Sequence, residues 1–405
     1  TGYLAIFYVV IYVFSIFVIL KYLNMENKAK MAGFALAAFF ILLDGNYLVW
    51  FNSLYGEPMM ITTLMLYIAF WVYYIAHRYT GKSQDKVFTK LVFIFAAAIL
   101  FLGSKIQVAY VLPVVLIMLT RLLAENKHLV KPYQAWLLSF LYVLTIVYPS
   151  ALVVMDGPIS RDRQYNSVFY GILKNSPTPE QDLMDMGLNP DMAVEAGKHS
   201  YLTETEYAKY VPRSQIAWDE FCSKMNNAKL VEFYISHPAR FIQGMEYTAS
   251  QAFITSTLLG KYDSKISEEP VREFNRFTLW SSFREAQLPK HLWFLVAVFA
   301  AFTAYTLRIY RSSSGSENIR AWIRLLWGVM FISIVQFPMP FIGNGQADTA
   351  KQLYLFNFIF DLMLLVSICW CLHKVIELVE QRGWKLAGCH FLRFPITINR
   401  NCEDQ

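Results

Sequence analysis

The sequence predicts a polytopic α-helical membrane protein that carries one large helical domain outside the bilayer. Three observations predict it. The 405 residues are 56% apolar and only 16% charged. Apolar runs of about 20 residues recur, the length that crosses ~30 Å of hydrocarbon. Basic residues cluster on alternate flanks of those runs.

Nine runs have the required length: 3–22, 31–51, 59–77, 87–103, 106–123, 134–154, 291–310, 321–342 and 351–373. The second is interrupted by Asp44-Gly45-Asn46, and the eighth ends in Gln336-Phe337-Pro338-Met339-Pro340. None has the short apolar core, basic flank and small-residue cleavage site of a signal peptide.

The flanks set the orientation. Of the 36 Lys and Arg, 19 lie on segments 21–30, 78–90, 121–133, 308–324 and 374–405. Only Lys105 and Lys351 lie on the short opposing loops 52–58, 103–108 and 343–351. By the positive-inside rule the first set is cytoplasmic. The insertion 156–290, with 15 basic and 18 acidic residues, then lies outside; long domains do not vote on orientation. The predicted plan is six spans in 1–155, an extracytoplasmic helical domain in 156–290, three spans in 291–373 and a cytoplasmic tail in 374–405. Thr1 falls outside, so at least one further span is expected upstream. The net charge of +6 comes from the cytoplasmic rims and forms no nucleic-acid surface.

Several chemistries are not signalled. Of five cysteines only Cys222 is external; Cys369 and Cys371 lie in the last span, Cys389 and Cys402 in the tail, so no disulfide framework is expected. There is no His-x-x-x-His, no Cys-x-x-Cys and no nucleotide-binding glycine loop. No metal site is assigned, although the outer carboxylates leave room for a divalent cation.

Within 156–290, Asn175-Ser176-Pro177-Thr178-Pro179-Glu180 starts a helix that stops at Gly187; Asn189-Pro190-Asp191 starts another that ends at Gly197; Thr203-Glu204-Thr205-Glu206 starts a third. Apolar residues at Ile216, Phe221, Met225, Leu230 and Phe233 predict one amphipathic helix over 213–234. His237-Pro238 leads into 241–259, expected to be a helix lying on the outer membrane surface. His237 is a candidate substrate contact, its plainer role being a helix-start residue.

Charged groups within spans are costly, so they mark function or a buried partner. Asp44, Tyr47, Phe51 and Tyr55 are spaced to share one helical face running to the outer surface, with Asn52, Ser53 and Glu57 beyond. Carboxylate, phenol and amide groups along an outer groove suit sugar hydroxyls; the plainer reading is an interhelical hydrogen-bond cluster. Lys105 and Lys351, being disfavoured by the charge rule, suit a lipid-linked phosphate or simple snorkelling. Asp348 and Glu57 also read as helix-start acids. Asn357 and Asp361, deeper in the last span, read as structural.

These groups carry a resemblance. Asp44-x-x-Tyr47…Asn52-Ser53-x-Tyr55-x-Glu57, Ser104-Lys105-x-Gln107 and Gly343-Asn344-Gly345-x-x-Asp348-x-x-Lys351 are joined by Tyr165-Asn166-Ser167-Val168-Phe169-Tyr170-Gly171-Ile172-Leu173 and Ser236-His237-Pro238. Together the chain resembles bacterial membrane glycosyltransferases of the GT-C superfamily, and within it the multi-span hexose transferases of Gram-positive cell-surface glycan loci. The resemblance implies location in the bacterial cytoplasmic membrane. It implies transfer of a sugar from a polyprenyl-phosphate carrier to a surface glycan or lipid-linked acceptor at the outer face. A carboxylate acts as general base and a cation stabilises the departing phosphate. Carried to this sequence, Glu57, Asp44 and Asp348 are the candidate catalytic carboxylates. Tyr47, Asn52, Tyr55, Lys105, Gln107, Lys351 and His237 are the candidate substrate contacts. In that superfamily the base commonly follows the first span, so it could lie before Thr1. The competing expectations are a lipid-linked oligosaccharide polymerase or ligase, a transporter or flippase, and a non-catalytic membrane subunit.

Overall fold

The computed structural model describes residues 2–23, 28–79, 86–256 and 274–381, and every regular element among them is helical. Cys389, Cys402 and most of the expected tail lie outside the described residues.

The first run is α1 (Gly2–Leu23). The second is not one helix. It divides into α2 (Lys28–Leu42) and α3 (Gly45–Leu48), the latter continued by a 3₁₀ turn to Asn52, with a bend of 51° between the halves. The break has a local cause. Asp44 is extended at ψ 136°, and its Oδ1 accepts the N–H of Asn46 at 2.9 Å, capping a new helix where the old one stops. α4 (Glu57–Arg78) then starts with Pro58 in its first turn, where a missing N–H costs nothing.

α5 (Val87–Leu102) has only 16 residues; α6 (Ile106–Ala109) is a single turn, and α7 (Leu112–Asn126) has 15 residues. The fourth and fifth runs therefore fall short of full spans. Among the described residues six helices qualify by length and apolarity, or seven if the bent pair counts as one. A short helix is tolerated in a bundle where protein neighbours cover one of its faces. Ile94, Phe95, Ala98 and Phe101 of α5 are all fully buried. α8 (Pro132–Val154) closes the first membrane unit and shows most of its apolar surface outward, as a lipid-facing helix does.

The insertion is a helical domain, as expected, but its pieces are shorter. α9 (Gly157–Tyr165) runs into a π-helical segment, Asn166–Ile172. α10 (Pro179–Asp185) is closed by Gly187 at φ +68°. Short 3₁₀ turns at Pro190–Glu195 and Glu204–Glu206 replace the second and third expected helices. The amphipathic stretch 213–234 is divided into α11 (Gln215–Ala217), a π turn to Cys222, and α12 (Asn227–Ser236). The division falls at Asn226, whose side chain accepts the Lys229 N–H and caps α12. α13 (Pro238–Ser250) ends well before 259, and Met245, Thr248 and Ala249 are buried in protein. One face of it packs between the domain and the last span, while Ile242, Gln243 and Glu246 on the other face stay exposed.

Glu195 ties this domain together. Its carboxylate accepts the N–H groups of Ala208 (2.9 Å), Lys209 (2.7 Å) and Tyr210 (3.0 Å), and Lys198 Nζ lies 2.7 Å away. Burial works to raise its pKa, but the Lys198 and backbone bonds outweigh burial and hold it below the usual carboxylate range. A lowered folded value stabilises the fold above the ordinary carboxyl value of about 4.3. That contribution is lost as pH falls through the lower folded value. We expect Glu195→Gln to cost about 1–3 kcal/mol near neutral pH. Its melting temperature should also fall less than that of the parent between about pH 5 and about pH 3. Parallel thermal curves for the two proteins across that range would refute the role.

α14 (Leu279–Gln287) returns to the membrane, followed by α15 (Leu292–Ser312) and α16 (Glu317–Gln336). α17 (Met339–Asn344) continues past Phe337-Pro338; then come α18 (Thr349–Gln352) and α19 (Tyr354–Gln381). One end of the bundle carries the basic flanks: Arg324 Nη2 lies 3.4 Å from Glu125, and Arg121 Nε bonds Glu125 at 2.8 Å. The helical domain sits at the other end, where Phe341, Phe337 and Leu292 join its apolar core. The flanks at Arg121 and Arg324 and the helical domain thus lie toward opposite ends of α16.

Candidate functional site

Two polar clusters occupy the domain-side rim, and between them they take seven of the ten predicted residues.

The first is sealed. Arg284, from α14, is fully buried between the bent second span and α19. Its Nη1 donates to Tyr47 Oη at 2.6 Å and pairs with Asp361. Its Nη2 bonds Thr255 Oγ1 at 2.7 Å, and its Nε bonds the Phe253 carbonyl at 3.2 Å. Tyr47 Oη also donates to Asp361 Oδ2 at 2.6 Å. Asp44 holds the same segment from the other side, with Oδ2 accepting the Ser281 N–H at 3.0 Å. Asn46 Nδ2 donates to Ser281 Oγ at 2.9 Å, and Asn357 Oδ1 accepts the Phe253 N–H at 2.9 Å.

This corrects the expected groove. Asp44 and Tyr47 are each 1% exposed and their polar atoms are spent on packing α14, so neither is open to a substrate here. The predicted common face also fails, because the chain leaves helical geometry at Ser53 and Tyr55 turns outward. Nothing in the sequence marks Arg284. It is one of 15 basic residues in the insertion, and its acidic partner lies 77 positions away.

The second cluster is open on one side. Glu57 starts α4 and is 1% exposed; its Oε1 accepts Lys105 Nζ at 2.8 Å. Its Oε2 has no hydrogen-bond partner. A buried charged oxygen left in that state is costly unless a ligand or water completes it. Lys105 is 28% exposed and lies along Gly56, where its stem would touch an added Cβ at 3.4 Å. Lys351 Nζ sits over the Tyr55 ring at 3.6 Å and near Trp50 at 5.9 Å. Gln107 Nε2 donates to the Gln352 carbonyl at 2.9 Å, while Gln336 Nε2 donates to the Gln107 carbonyl at 3.0 Å. Tyr55, Glu57, Lys105, Gln107 and Lys351, far apart in sequence, thus meet around the turn before α4.

The remaining candidates stand apart from these contacts. Asn52 is exposed on the 3₁₀ turn. Asp348 is exposed at φ +53° before α18 and does not cap that helix with its side chain. His237 joins α12 to α13, with Nε2 3.1 Å from Asp185 and Nδ1 3.1 Å from the Phe233 carbonyl. That is a structural joint within the domain. Among the described residues no three His, Cys, Asp or Glu side chains converge as a cation cage needs.

The loop before α18 also meets the π-helical segment. Asn166 Nδ2 donates to Asn344 Oδ1 at 2.9 Å, Asn166 Oδ1 accepts the Ser200 N–H at 2.7 Å, and Gln346 N–H reaches the Tyr170 carbonyl at 3.3 Å. Gly345 adopts φ +59°, and a Cβ there would lie 2.2 Å from the Asn166 carbonyl oxygen. Two of the sequence motifs are therefore a single contact, which locks the domain to the rim beside Lys351.

Residues 1–386 match the family described as the YfdI N-terminal transmembrane domain. The chain belongs to that family. Membership covers both membrane units and the domain between them, so the buried Arg284 cluster and the open Glu57 cluster both lie within one family domain. No curated protein and no solved structure matches the chain.

Proposed function

We propose that this YfdI-type transmembrane domain is a polyprenyl-phosphate-dependent glycosyltransferase of GT-C type. It moves a sugar to a glycan or lipid-linked acceptor at the outer face of a bacterial cytoplasmic membrane, the basic rim facing the cytoplasm. The observation that carries this reading is the open cluster: one unpartnered carboxylate oxygen on Glu57, whose other oxygen pairs with Lys105, and Lys351 over the Tyr55 ring two residues before it.

The parts divide the work. The donor phosphate approaches in the plane of the lipid headgroups and draws Lys105 and Lys351, which act as point charges. As Lys105 turns to the phosphate, its bond to Glu57 opens. The acceptor hydroxyl then donates its proton to Glu57 while its oxygen attacks the anomeric carbon. The bond from that carbon to the phosphate oxygen breaks, and the polyprenyl phosphate leaves with the electron pair, stabilised by the lysines. Tyr55 and Gln107 frame the sugar.

The test is sugar transfer by the full chain in proteoliposomes containing polyprenyl-phosphate hexoses and an acceptor glycan. In Lys351→Met we expect KM for the donor to rise about tenfold or more, as loss of one phosphate contact predicts. The fold should hold, since an exposed cation–π contact contributes only about 0.5–1 kcal/mol. Donor kinetics unchanged in Lys351→Met would refute the site. No turnover with any polyprenyl-phosphate sugar would refute the function.

A further inference from the structure

A second opening lies at Gln346, in the turn between α17 and α18. It is a partly open crevice of about 40 Å³ between α13, the π-helical segment and α17. Ile172 and Phe341 form an apolar wall. Asn175, Gln243 and Gln346 bring amide groups to the mouth. Tyr234 lines the crevice, only 6% exposed, and its hydroxyl has no hydrogen-bond partner. A buried phenol normally finds a partner, so this one marks a place where something polar belongs.

The charge in the crevice is already neutralised. Arg240 Nη2 lies 3.1 Å from Asp182 Oδ2 and 2.9 Å from Ser176 Oγ, and Asp185 faces His237 one turn further along the same helices. Tyr247 Oη is committed to the Gln346 carbonyl at 3.2 Å. What remains are groups that both donate and accept: one phenol and three amides. Such a set matches neutral hydroxyls and has no surplus charge for a phosphate or carboxylate. The volume narrows the occupant further. It exceeds the ~10–15 Å³ that a single water needs. It is too small to enclose a pyranose, so an edge of the ring enters, with the apolar wall against the ring's C–H face.

We propose that this crevice is a subsite for the hydroxyl-bearing edge of a neutral sugar. Under the function proposed above, that sugar belongs to the acceptor, because the donor phosphate is assigned to Lys105 and Lys351, neither of which lines the crevice. The naming of the acceptor rests on that reading; the binding of a neutral sugar does not.

The experiment uses the full chain in nanodiscs and methyl hexosides as probes, read by saturation-transfer NMR titration. We expect saturable binding of at least one neutral hexoside. It should weaken about fivefold to tenfold in Tyr234→Phe and in Gln243→Leu, the loss of one hydrogen bond each. The two variants act at different depths: Gln243 is exposed, so its replacement leaves the fold intact even if the buried change at Tyr234 disturbs it. In transfer assays the same variants should raise KM for the acceptor and leave KM for the donor unchanged. Absence of saturable hexoside binding, or equal binding in parent and both variants, overturns the proposal and leaves ordered water as the occupant. Hexoside binding without transferase turnover would sustain the subsite and refute the transferase reading instead.

Discussion

Arg284→Met should be the most damaging single change in the membrane-facing part of the protein. We expect a loss of about 3–5 kcal/mol, because the substitution leaves a buried carboxylate without its counter-charge. Arg284 and Asp361 are both 0% exposed, and Arg284 further holds the Phe253 carbonyl, Thr255 and Tyr47. One guanidinium therefore pins three segments: the end of the domain, the bent second span and the last span. The measurement is thermal unfolding of the purified chain in detergent, with Asp361→Asn as partner. Removing the charge at 361 as well should recover much of the loss, since the dominant cost is the unpaired charge and not the missing contacts. A double variant as unstable as Arg284→Met alone would show that packing, not electrostatics, dominates. An unchanged melting temperature in the single variant would refute the role altogether.

Glu57→Gln should have the largest effect on activity. The amide is nearly isosteric and its oxygen can still accept Lys105 Nζ, so the rim should keep its shape. Only the basicity is lost. Under the proposed function kcat should fall by about 10²–10⁴-fold, the usual contribution of a general base. KM for the donor should move little, because the phosphate is held by the lysines. Lys105→Met is the less clean variant, since it strands the Glu57 carboxylate in a site 1% exposed. Retention of near-parental kcat in Glu57→Gln, with the fold intact, would remove Glu57 from the chemistry. The base would then have to be sought elsewhere.

Residues legible in the sequence were those whose meaning is local. Asp44 interrupts an apolar run, and it interrupts the helix. Gly187 closes α10 at positive φ, where the sequence places the end of that helix. Lys105 and Lys351 break the charge rule for short outer loops, and each touches the turn before α4, Lys105 at Glu57 and Lys351 at Tyr55. The readings that did not hold were those that needed a partner to be known. Asp44 and Tyr47 were read as an open groove because Arg284 and Ser281, distant in sequence, could not be seen covering them. The stretch 213–234 looks like one amphipathic helix because its apolar spacing survives the break at Asn226; the cap that breaks it competes for the same backbone groups.

By itself, then, the sequence determined the membrane class, the order of the apolar runs, the opposite placement of basic flanks and domain, and the short list of polar groups worth placing. Those follow from lengths, transfer costs and charge counts, which each segment carries alone. Only the tertiary structure decided which of those groups are sealed and which are open. Burial of a charge depends on what packs over it, and no segment contains its own cover. Thus Asp44 became a cap under α14, while Glu57 kept one oxygen without a partner, its other oxygen paired with Lys105.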